Sequence, residues 1–328
     1  MNPSEVRRLL PMDECVELMA EALATLGRGD AVNPLRWGMR LPGDLGILGM
    51  MPGSMSSPPV FGLKVVSVFP GNHGTGYDSH QGVVMLFETE HGAPVAIVDA
   101  SEITAIRTAA TSAVATRLLA REDAGELAIL GSGVQARTHL EAMLCVRDVR
   151  RARVWSPTRE RREAFAAAAG ERHGIDVRAV GSAEEAVRGA DLLCTTTSAR
   201  QPIVEGGWLA PGLHVNAVGS SIASARELDT AAVVRSRLFV DRRESTLAEA
   251  GDFLFPKQEG AIDDDHIVAE IGEILLGQAA ARRTADEITL FKSLGLAVED
   301  LAAAHRVYVR AREQGLGTPV ELGGPVGH

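Results

Sequence analysis

The chain has 328 residues, of which 45% are hydrophobic and 23% are charged, and its formal net charge is −10 at pH 7. This length leaves room for two domains, and an acidic chain without a basic tract argues against a nucleic-acid partner. The three cysteines are far apart, the first residues lack the apolar core of a secretory signal, and no apolar run reaches the ~18 residues of a membrane span. We therefore expect a soluble cytoplasmic protein without disulfides, a metal site or a membrane partner.

The first 120 residues predict a module of mixed helices and strands. Residues 13–28 have apolar positions at helical spacing. Short β-like segments separated by Gly and Pro follow at 37–41, 63–69, 82–88 and 94–98. An Ala-rich helix is predicted at 101–120, with Ser101 as its cap. Several strands before any crossover helix favour an antiparallel or mixed sheet.

Strands and helices alternate from residue 127 onward. Apolar runs predict strands at 127–130, 153–155, 177–180, 192–196, 213–218 and 238–240, with helices at 159–169 and 183–188. Two further helices are predicted at 265–276 and 298–314, and the second is expected to pack on the first module. The predicted fold class is α/β, with a Rossmann-type doubly wound parallel sheet at 121–296. It is inserted in a second α+β domain formed by 1–120 and 297–328.

A glycine turn directly follows the first strand of this series. Its sequence is Gly131-Ser132-Gly133-Val134-Gln135-Ala136, a GxGxxA pattern between a strand and a helix. That context predicts a dinucleotide site, although a GxGxxA alone is equally consistent with a turn that binds nothing. Gly131 permits the tight turn, Gly133 permits close approach of a pyrophosphate, and Ala136 permits packing of the helix on the strand. Val134 and Gln135 lie at the helix start, where N–H groups bind anions.

The end of the second strand predicts which pyridine nucleotide is bound. In a Rossmann unit an acidic residue there binds the ribose 2′-hydroxyl and repels a 2′-phosphate. This chain instead has Ser156, Thr158 and Arg159, which suit a 2′-phosphate. The sequence therefore favours NADP(H) over NAD(H), and the alternative interpretation is a solvated basic helix start.

Several polar residues of the first module stand among apolar or small neighbours. They are Arg36, Lys64, His80, Gln81 and Arg107. Each taken alone has an ordinary explanation, such as a strand edge, an exposed helix position or a turn. Together they supply two or three cations, which suit a small carboxylate substrate.

Nine segments follow the order and spacing of one known family. They are MMPGS, GLKVVSVFPGN, SHQGVVMLFE, EITAIRTAATSAVAT, LAILGSGVQARTHLEA, HVNAVGSS, RELD, AEAGD and ITLFKSLGLAVEDLAA. Through them the chain resembles the ornithine cyclodeaminase/mu-crystallin family over nearly its whole length. The resemblance implies a homodimer in which the α+β domain serves dimerisation and substrate binding. It also implies action on the Cα–N bond of amino or imino acids.

The resemblance places the family's carboxylate-binding cations at Arg36, Lys64 and Arg107, and a proton donor to the imine nitrogen at Lys64. Where cyclodeaminases carry a glutamate and an aspartate, this chain has Gly49 and Ser221. Gly and Ser cannot replace carboxylates in proton transfer at neutral pH. The chain is therefore more similar to the NADP-dependent ketimine and Δ1-pyrroline-2-carboxylate reductases of the family.

The resulting expectation is an oxidoreductase that uses NAD(P)H to reduce the C=N bond of a small cyclic imino acid. The proton donor is Lys64 or a water held by Ser221 or His80. Two segments are expected to flank the nicotinamide, contributing Thr196, Thr197 and Ser198 from one and Val218 and Ser220 from the other. The alternatives are an ornithine cyclodeaminase, an amino-acid dehydrogenase of the alanine type, and a non-catalytic NADP-bearing protein of the crystallin type.

Overall fold

The computed structural model describes residues 1–72 and 75–321, and the chain divides into two compact units. The first unit is the described part of Met1–Arg107 and Gly295–His328, and the second unit is Thr108–Leu294. The first of these boundaries lies inside the helix that the sequence predicts at 101–120.

An antiparallel sheet forms the centre of the first unit. In chain order, residues 1–72 and 75–119 form α1 (Pro3–Leu9), α2 (Met12–Gly27), β1 (Ala31–Val32), β2 (Trp37–Arg40), a 3₁₀ turn (Pro42–Asp44), β3 (Ile47–Ser56), β4 (Pro59–Val68), a 3₁₀ turn (Pro70–Asn72), β5 (His80–Phe87), β6 (Pro94–Asp99) and α3 (Ala100–Leu119). The strand order is β1-β3-β4-β5-β6, and β2 also pairs with β3. All these pairs are antiparallel, so the predicted sheet type is confirmed.

The sequence prediction lacks β3, one of the longest strands of this sheet. Its residues include Gly49, Pro52 and Gly53, which interrupt an apolar run and are typical of a loop. In the structure Gly53 serves close packing, because a Cβ atom there would lie 3.1 Å from the Cβ of Ala297. The missing side chain lets the carboxy-terminal helix approach the sheet.

Helix α3 begins one residue earlier than predicted, and the predicted Ser101 cap is wrong. The carboxylate of Asp99 accepts the backbone N–H of Glu102 at 2.8 Å, so Asp99 is the capping residue. The Ser101 hydroxyl instead donates to the backbone oxygen of His80. Neither α3 nor any other helix formed by residues 1–72 and 75–321 is long and apolar enough to cross a membrane.

The second unit is built on a parallel sheet. Its elements are β7 (Glu126–Leu130), α4 (Val134–Val146), β8 (Arg151–Trp155), α5 (Arg159–His173), β9 (Asp176–Ala179), α6 (Ala183–Val187), β10 (Leu192–Thr195), β11 (His214–Ala217), α7 (Thr230–Val234), β12 (Arg237–Val240), α8 (Arg243–Glu249), α9 (Gly251–Gln258), β13 (Ile267–Glu270), α10 (Ile271–Leu275) and β14 (Thr289–Lys292). The order is β9-β8-β7-β10-β11-β14-β12-β13, with every pair parallel. This confirms the doubly wound Rossmann-type sheet.

The second unit differs from the prediction in several elements, and helices α7, α8 and α9 have no predicted counterpart. The predicted helix at 265–276 is helical only in its second half, at α10, because a 3₁₀ turn (Asp264–His266) and β13 occupy the first half. Every second residue of β13, Ile267 and Ala269, is buried, and β13 pairs with β12. Both features are those of a strand. The sequence prediction also lacks β14, which lies between β11 and β12 and is buried at every position. Its end residues Thr289 and Lys292 are polar although buried, so the strand shows neither an apolar run nor an alternating pattern.

The last helix returns to the first unit. Helix α11 (Ala297–Glu313) packs on α2 and on strands β3, β4 and β5. This confirms the prediction that the helix at 298–314 packs on the amino-terminal module. Its first turn therefore lies against the antiparallel sheet.

Candidate active site

The glycine turn of the second unit is shaped to receive an anion. Gly131 has φ +124°, and a Cβ atom there would lie 2.5 Å from Oγ1 of Thr196, so the position requires glycine. Helix α4 begins at Val134, and no side chain caps it. A Cβ atom on Gly133 would meet nothing within 4 Å. The open space faces a helix start whose N–H groups lack intrahelical acceptors, which fits a pyrophosphate.

Ala136 contributes to this turn by packing. It is fully buried, in the first turn of α4, as expected for a small residue that lets the helix lie close to the strand. Val134 is 48% exposed at the helix start. Gln135 accepts a hydrogen bond from Nδ1 of His139 through its backbone oxygen, and this holds the first turn in place.

The turn lies at the point where the strand order reverses. Strands β7 and β10 are neighbours, with Leu130 beside Thr195 at their carboxyl ends. Thr196 ties the next residues together, because its N–H and its hydroxyl both donate to the backbone oxygen of Leu130, at 2.8 and 3.0 Å. Open parallel sheets bind ligands at this position. The geometry thus agrees with a nucleotide site above β7 and β10.

The segment after β8 contains the three residues predicted to choose the nucleotide. Ser156 is buried, and its hydroxyl accepts from Ser132 at 3.0 Å and donates to the backbone oxygen of Thr158 at 3.3 Å. Thr158 is exposed and precedes α5. Arg159 is the first residue of α5, is exposed, and forms a 2.7 Å ion pair with Glu163. Thr158 and Arg159 are therefore accessible to solvent, whereas the Ser156 hydroxyl links the glycine turn to the segment after β8.

The segments after β10 and β11 are joined by direct contacts. Ser220 has φ +53°, and its hydroxyl donates a short hydrogen bond to the backbone oxygen of Ala199. Val218 donates its N–H to the backbone oxygen of Thr195 at 3.0 Å. Thr197 donates both its N–H and its hydroxyl to the carboxylate of Glu227, and Ser198 is exposed. The structure brings these predicted nicotinamide-side residues together at one edge of the sheet.

A buried charge cluster lies in the first unit and joins two of the predicted cations. Nζ of Lys64 lies 2.7 Å from Oδ2 of Asp300. The guanidinium of Arg107 binds the same carboxylate at 2.9 Å and that of Glu299 at 2.6 Å. All four residues are at most 4% exposed. We call these residues the Lys64 cluster.

The cluster controls the acidity of its two cations. Burial lowers the pKa of Lys64 to about 8, and the charge of Asp300 opposes this shift. Burial also disfavours the charged form of Arg107, but Asp300 and Glu299 outweigh it and raise the pKa of Arg107. Lys64 is therefore a charged group at neutral pH that releases its proton more readily than an ordinary lysine.

Glu299 and Asp300, the carboxylates that pair with these cations, were not among the residues predicted from the sequence. They lie in the first turn of α11, where acidic residues are common because they interact favourably with the helix dipole. The signal available in the sequence was their position on a helix expected to pack on the first module. Gly295 completes the arrangement: it has φ +81°, and a Cβ atom there would lie 2.5 Å from a guanidinium nitrogen of Arg107.

The remaining predicted catalytic residues lie outside the Lys64 cluster. Arg36 is half-buried between β1 and β2, in the first unit. His80 is exposed at the start of β5, and its Nδ1 lies 3.0 Å from the Ser79 hydroxyl. Ser221 is half-buried in the second unit.

Comparisons with known proteins agree with this combination of features. The sequence profile of the ornithine cyclodeaminase/mu-crystallin family matches residues 2–315. The chain is 37% identical over 323 residues to a Δ1-pyrroline-2-carboxylate reductase of Bacillus cereus, covering 98% of this chain and 99% of the relative. It is 40% identical over 290 residues to the ketimine reductase mu-crystallin of Mus musculus, covering 88% of each chain.

A solved structure extends the similarity to three dimensions. It is the Thermococcus litoralis Δ1-pyrroline-2-carboxylate reductase in complex with NADH and L-proline. The TM-score is 0.95 at 40% identity, and the match covers 98% of this chain and 99% of the relative. The glycine turn, the inserted parallel sheet and the profile match over almost the full length lead to one conclusion. The chain belongs to the ornithine cyclodeaminase/mu-crystallin family.

Proposed function

We propose that this protein reduces the C=N bond of a small cyclic imino acid, such as Δ1-pyrroline-2-carboxylate or its six-membered analogue, with a reduced pyridine nucleotide. The observation that carries the proposal is the buried pair of cations, Lys64 and Arg107, held by Asp300 and Glu299. A carboxylate substrate needs such cations, and a protonated imine nitrogen needs a nearby acid. Gly49 and Ser221 stand where cyclodeaminases carry carboxylates, and neither can act as a base at neutral pH. This argues against cyclodeamination.

The residues of the first unit bind and protonate the substrate. Arg36, Lys64 and Arg107 receive the substrate carboxylate. Asp300 orients both Lys64 and Arg107, because its two oxygens bind one cation each. With a pKa of about 8, Lys64 is charged at neutral pH and donates a proton to the imine nitrogen. A water held by Ser221 or His80 is the alternative donor.

The residues of the second unit hold the cofactor. Gly131 and Gly133 shape the turn, and the N–H groups that follow, at Val134, Gln135 and Ala136, bind the pyrophosphate. The segments with Thr196, Thr197 and Ser198 and with Val218 and Ser220 face the nicotinamide. When bound, the reduced nicotinamide supplies a hydride to the imine carbon.

We propose that NADP(H) is preferred over NAD(H). The segment after β8 carries no acidic side chain to repel a 2′-phosphate, and Arg159 stands exposed at the first position of α5. Ser156 shapes the segment through its buried hydroxyl, and Thr158 offers an exposed one. The Thermococcus litoralis relative was solved with NADH, so the preference must be measured for this chain.

Exchanging Arg159 for aspartate is expected to shift preference toward NADH by about tenfold or more, because a charge-assisted hydrogen bond becomes a charge repulsion. The measurement is kcat/KM for NADPH and for NADH. Arg161→Asp is the matched control, since it makes the same charge change in the same turn of α5. An equal shift in both variants, or an unchanged ratio in Arg159→Asp, would contradict a specific role for Arg159.

A substrate panel tests the proposed reaction itself. We expect oxidation of NADPH with five- and six-membered cyclic imino acids. With ornithine and NAD we expect no ammonia and no proline, because that reaction needs the two missing carboxylates. Formation of proline and ammonia from ornithine would identify a cyclodeaminase instead. Nucleotide binding without turnover of any panel member would support a binding protein of the crystallin type.

We also propose that the protein is a homodimer that uses the first unit. Trp37 and Met39 lie on the same face of β2 and are 56% and 48% exposed, and Leu45 is 63% exposed. Exposed apolar residues of this size are typical of an interface. Light scattering on the purified protein should give twice the chain mass, and the mass of one chain would contradict the proposal.

A further inference from the structure

A second buried charge cluster lies in the second unit, and the mechanism above does not use it. It consists of Glu227, Asp252 and Lys292, which are 0%, 2% and 1% exposed. They belong to the RELD, AEAGD and ITLFK segments of the sequence. We call these three residues the Glu227 cluster.

Glu227 connects the two segments that are proposed to face the nicotinamide. Its carboxylate accepts hydrogen bonds from the hydroxyls of Thr195 and Thr197, each at 2.6 Å, and from the N–H of Thr197 at 2.8 Å. On the other side it lies close to Gly219, where a Cβ atom would be 2.5 Å from Oε1 of Glu227. The carboxylate therefore lies between the segment after β10 and the segment after β11.

Asp252 and Lys292 fix this carboxylate in place. One oxygen of Asp252 accepts the backbone N–H groups of Glu227 and Leu228, at 2.8 and 3.0 Å. The other oxygen pairs with Nζ of Lys292 at 2.9 Å. Lys292 also donates to the backbone oxygen of Gly219 at 2.8 Å. One ion pair thus holds both the backbone of Glu227 and the segment after β11.

The charges of the cluster do not balance when all three residues are ionised. Two carboxylates face one ammonium group, so an ionised Glu227 leaves one excess negative charge in the interior. Burial and the charge of Asp252 raise the pKa of Glu227 to about 7, against the opposing effects of Lys292, Thr195 and Thr197. The excess negative charge on Glu227 is therefore present above about pH 7 and absent below it.

We propose that Glu227 is a positioning residue for the nicotinamide end of the cofactor, and that its ionised carboxylate favours the oxidised nucleotide over the reduced one. The inference rests on the proposed function, which places the ring against these two segments. The oxidised nicotinamide is a cation and the reduced ring is neutral, so a negative charge behind the segments stabilises the oxidised form. Protonation of Glu227 removes that preference.

Nucleotide titrations without an imino acid test this inference. The dissociation constants of NADPH, from its fluorescence, and of NADP⁺, from competition, are measured from about pH 6 to about pH 8.5. In the unmodified protein, the ratio of the NADPH constant to the NADP⁺ constant is expected to rise about fivefold through pH 7. Titration of the 2′-phosphate cancels in this ratio, because both nucleotides carry it.

Three variants locate the effect. Glu227→Gln keeps the size and an acceptor for Thr197 but cannot ionise, so its ratio should stay at the low-pH value throughout. Thr195→Val removes one hydrogen bond to the carboxylate and should move the midpoint to higher pH. Glu270→Gln is the control: Glu270 is a half-buried carboxylate at the end of β13 whose pKa burial also raises. The control should behave as the unmodified protein does.

The outcomes separate this inference from the proposed function. A ratio that stays flat in the unmodified protein, or that rises equally in Glu227→Gln, overturns the role of Glu227 while imino-acid reduction can stand. If Glu227→Gln fails to fold, the unmodified protein and Thr195→Val test the proposal. The pH midpoint of the ratio must then lie higher in Thr195→Val than in the unmodified protein, and an unchanged midpoint contradicts the proposal. A protein that binds neither nucleotide overturns both ideas.

Discussion

Replacement of Lys64 by methionine is expected to lower kcat for imino-acid reduction at least about 100-fold. The side chain that donates the proton and receives the substrate carboxylate is then missing. Asp300 keeps its hydrogen bond to Arg107, so the unit should still fold. The dissociation constant of NADPH should change by less than about twofold, since the nucleotide is proposed to bind the second unit. Steady-state kinetics and a fluorescence titration measure the two quantities.

Lys257→Met is the control for this experiment. Lys257 pairs with Asp264 at the surface, so its loss should leave both quantities nearly unchanged. Full turnover in Lys64→Met would show that the proton comes from another donor. The water held by Ser221 or His80 would then become the leading candidate.

The role of Lys64 as proton donor predicts how the rate of imino-acid reduction depends on pH. Because the pKa of Lys64 is lowered to about 8, the lysine is protonated below that pH and neutral above it. Reduction needs the protonated form, so kcat/KM for the imino acid should fall as the pH rises through about 8. This descending limb should be absent from the residual activity of Lys64→Met. A limb that persists in that variant would assign the titration to another group.

Asp300→Ala is expected to destabilise the protein by about 3–5 kcal/mol. The substitution leaves Lys64 without its carboxylate partner and Arg107 with only one of its two, inside a region that water does not reach. The loss should shrink at higher pH, because the unpaired Lys64 can then release its proton. Urea unfolding at neutral and alkaline pH measures both effects.

Glu163→Ala provides the comparison for that measurement. It removes the exposed ion pair with Arg159, and alanine is a good helix former, so unfolding should be nearly unchanged. A similarly small effect of Asp300→Ala would mean that the buried cations do not depend on this carboxylate. The account of how Lys64 and Arg107 are held would then be wrong.

The nucleotide half of the protein could be predicted from sequence because its signals are local. The turn from Gly131 to Ala136 lies within a few residues of the strand and helix that it joins, and each strand–helix repeat has its own apolar pattern. The pattern fails where polar residues occupy positions of a buried strand. Two of the four buried residues of β14, Thr289 and Lys292, are polar, so its sequence shows neither an apolar run nor an alternation.

The partners of the predicted cations could not be predicted in the same way. Arg107 and Asp300 are 193 positions apart, and only the packing of α11 on the first unit brings them together. Their sequence positions carry no sign of that contact, because acidic residues at a helix start are common for other reasons. Glu227 is a similar case: the RELD segment supported the family resemblance, but its link to Thr195 and Thr197 is a property of the folded sheet.

The position of β14 affects how the protein can be made. This strand, near the end of the chain, occupies a place between β11 and β12, which are synthesised well before it. The carboxylates that neutralise Lys64 and Arg107 also arrive only with α11. While the ribosome is still translating, the large sheet has a gap and the smaller unit holds two uncompensated charges. A polypeptide released before residue 289 lacks elements of both units and can complete neither. We therefore expect prematurely terminated chains to be degraded by proteases, without partial activity.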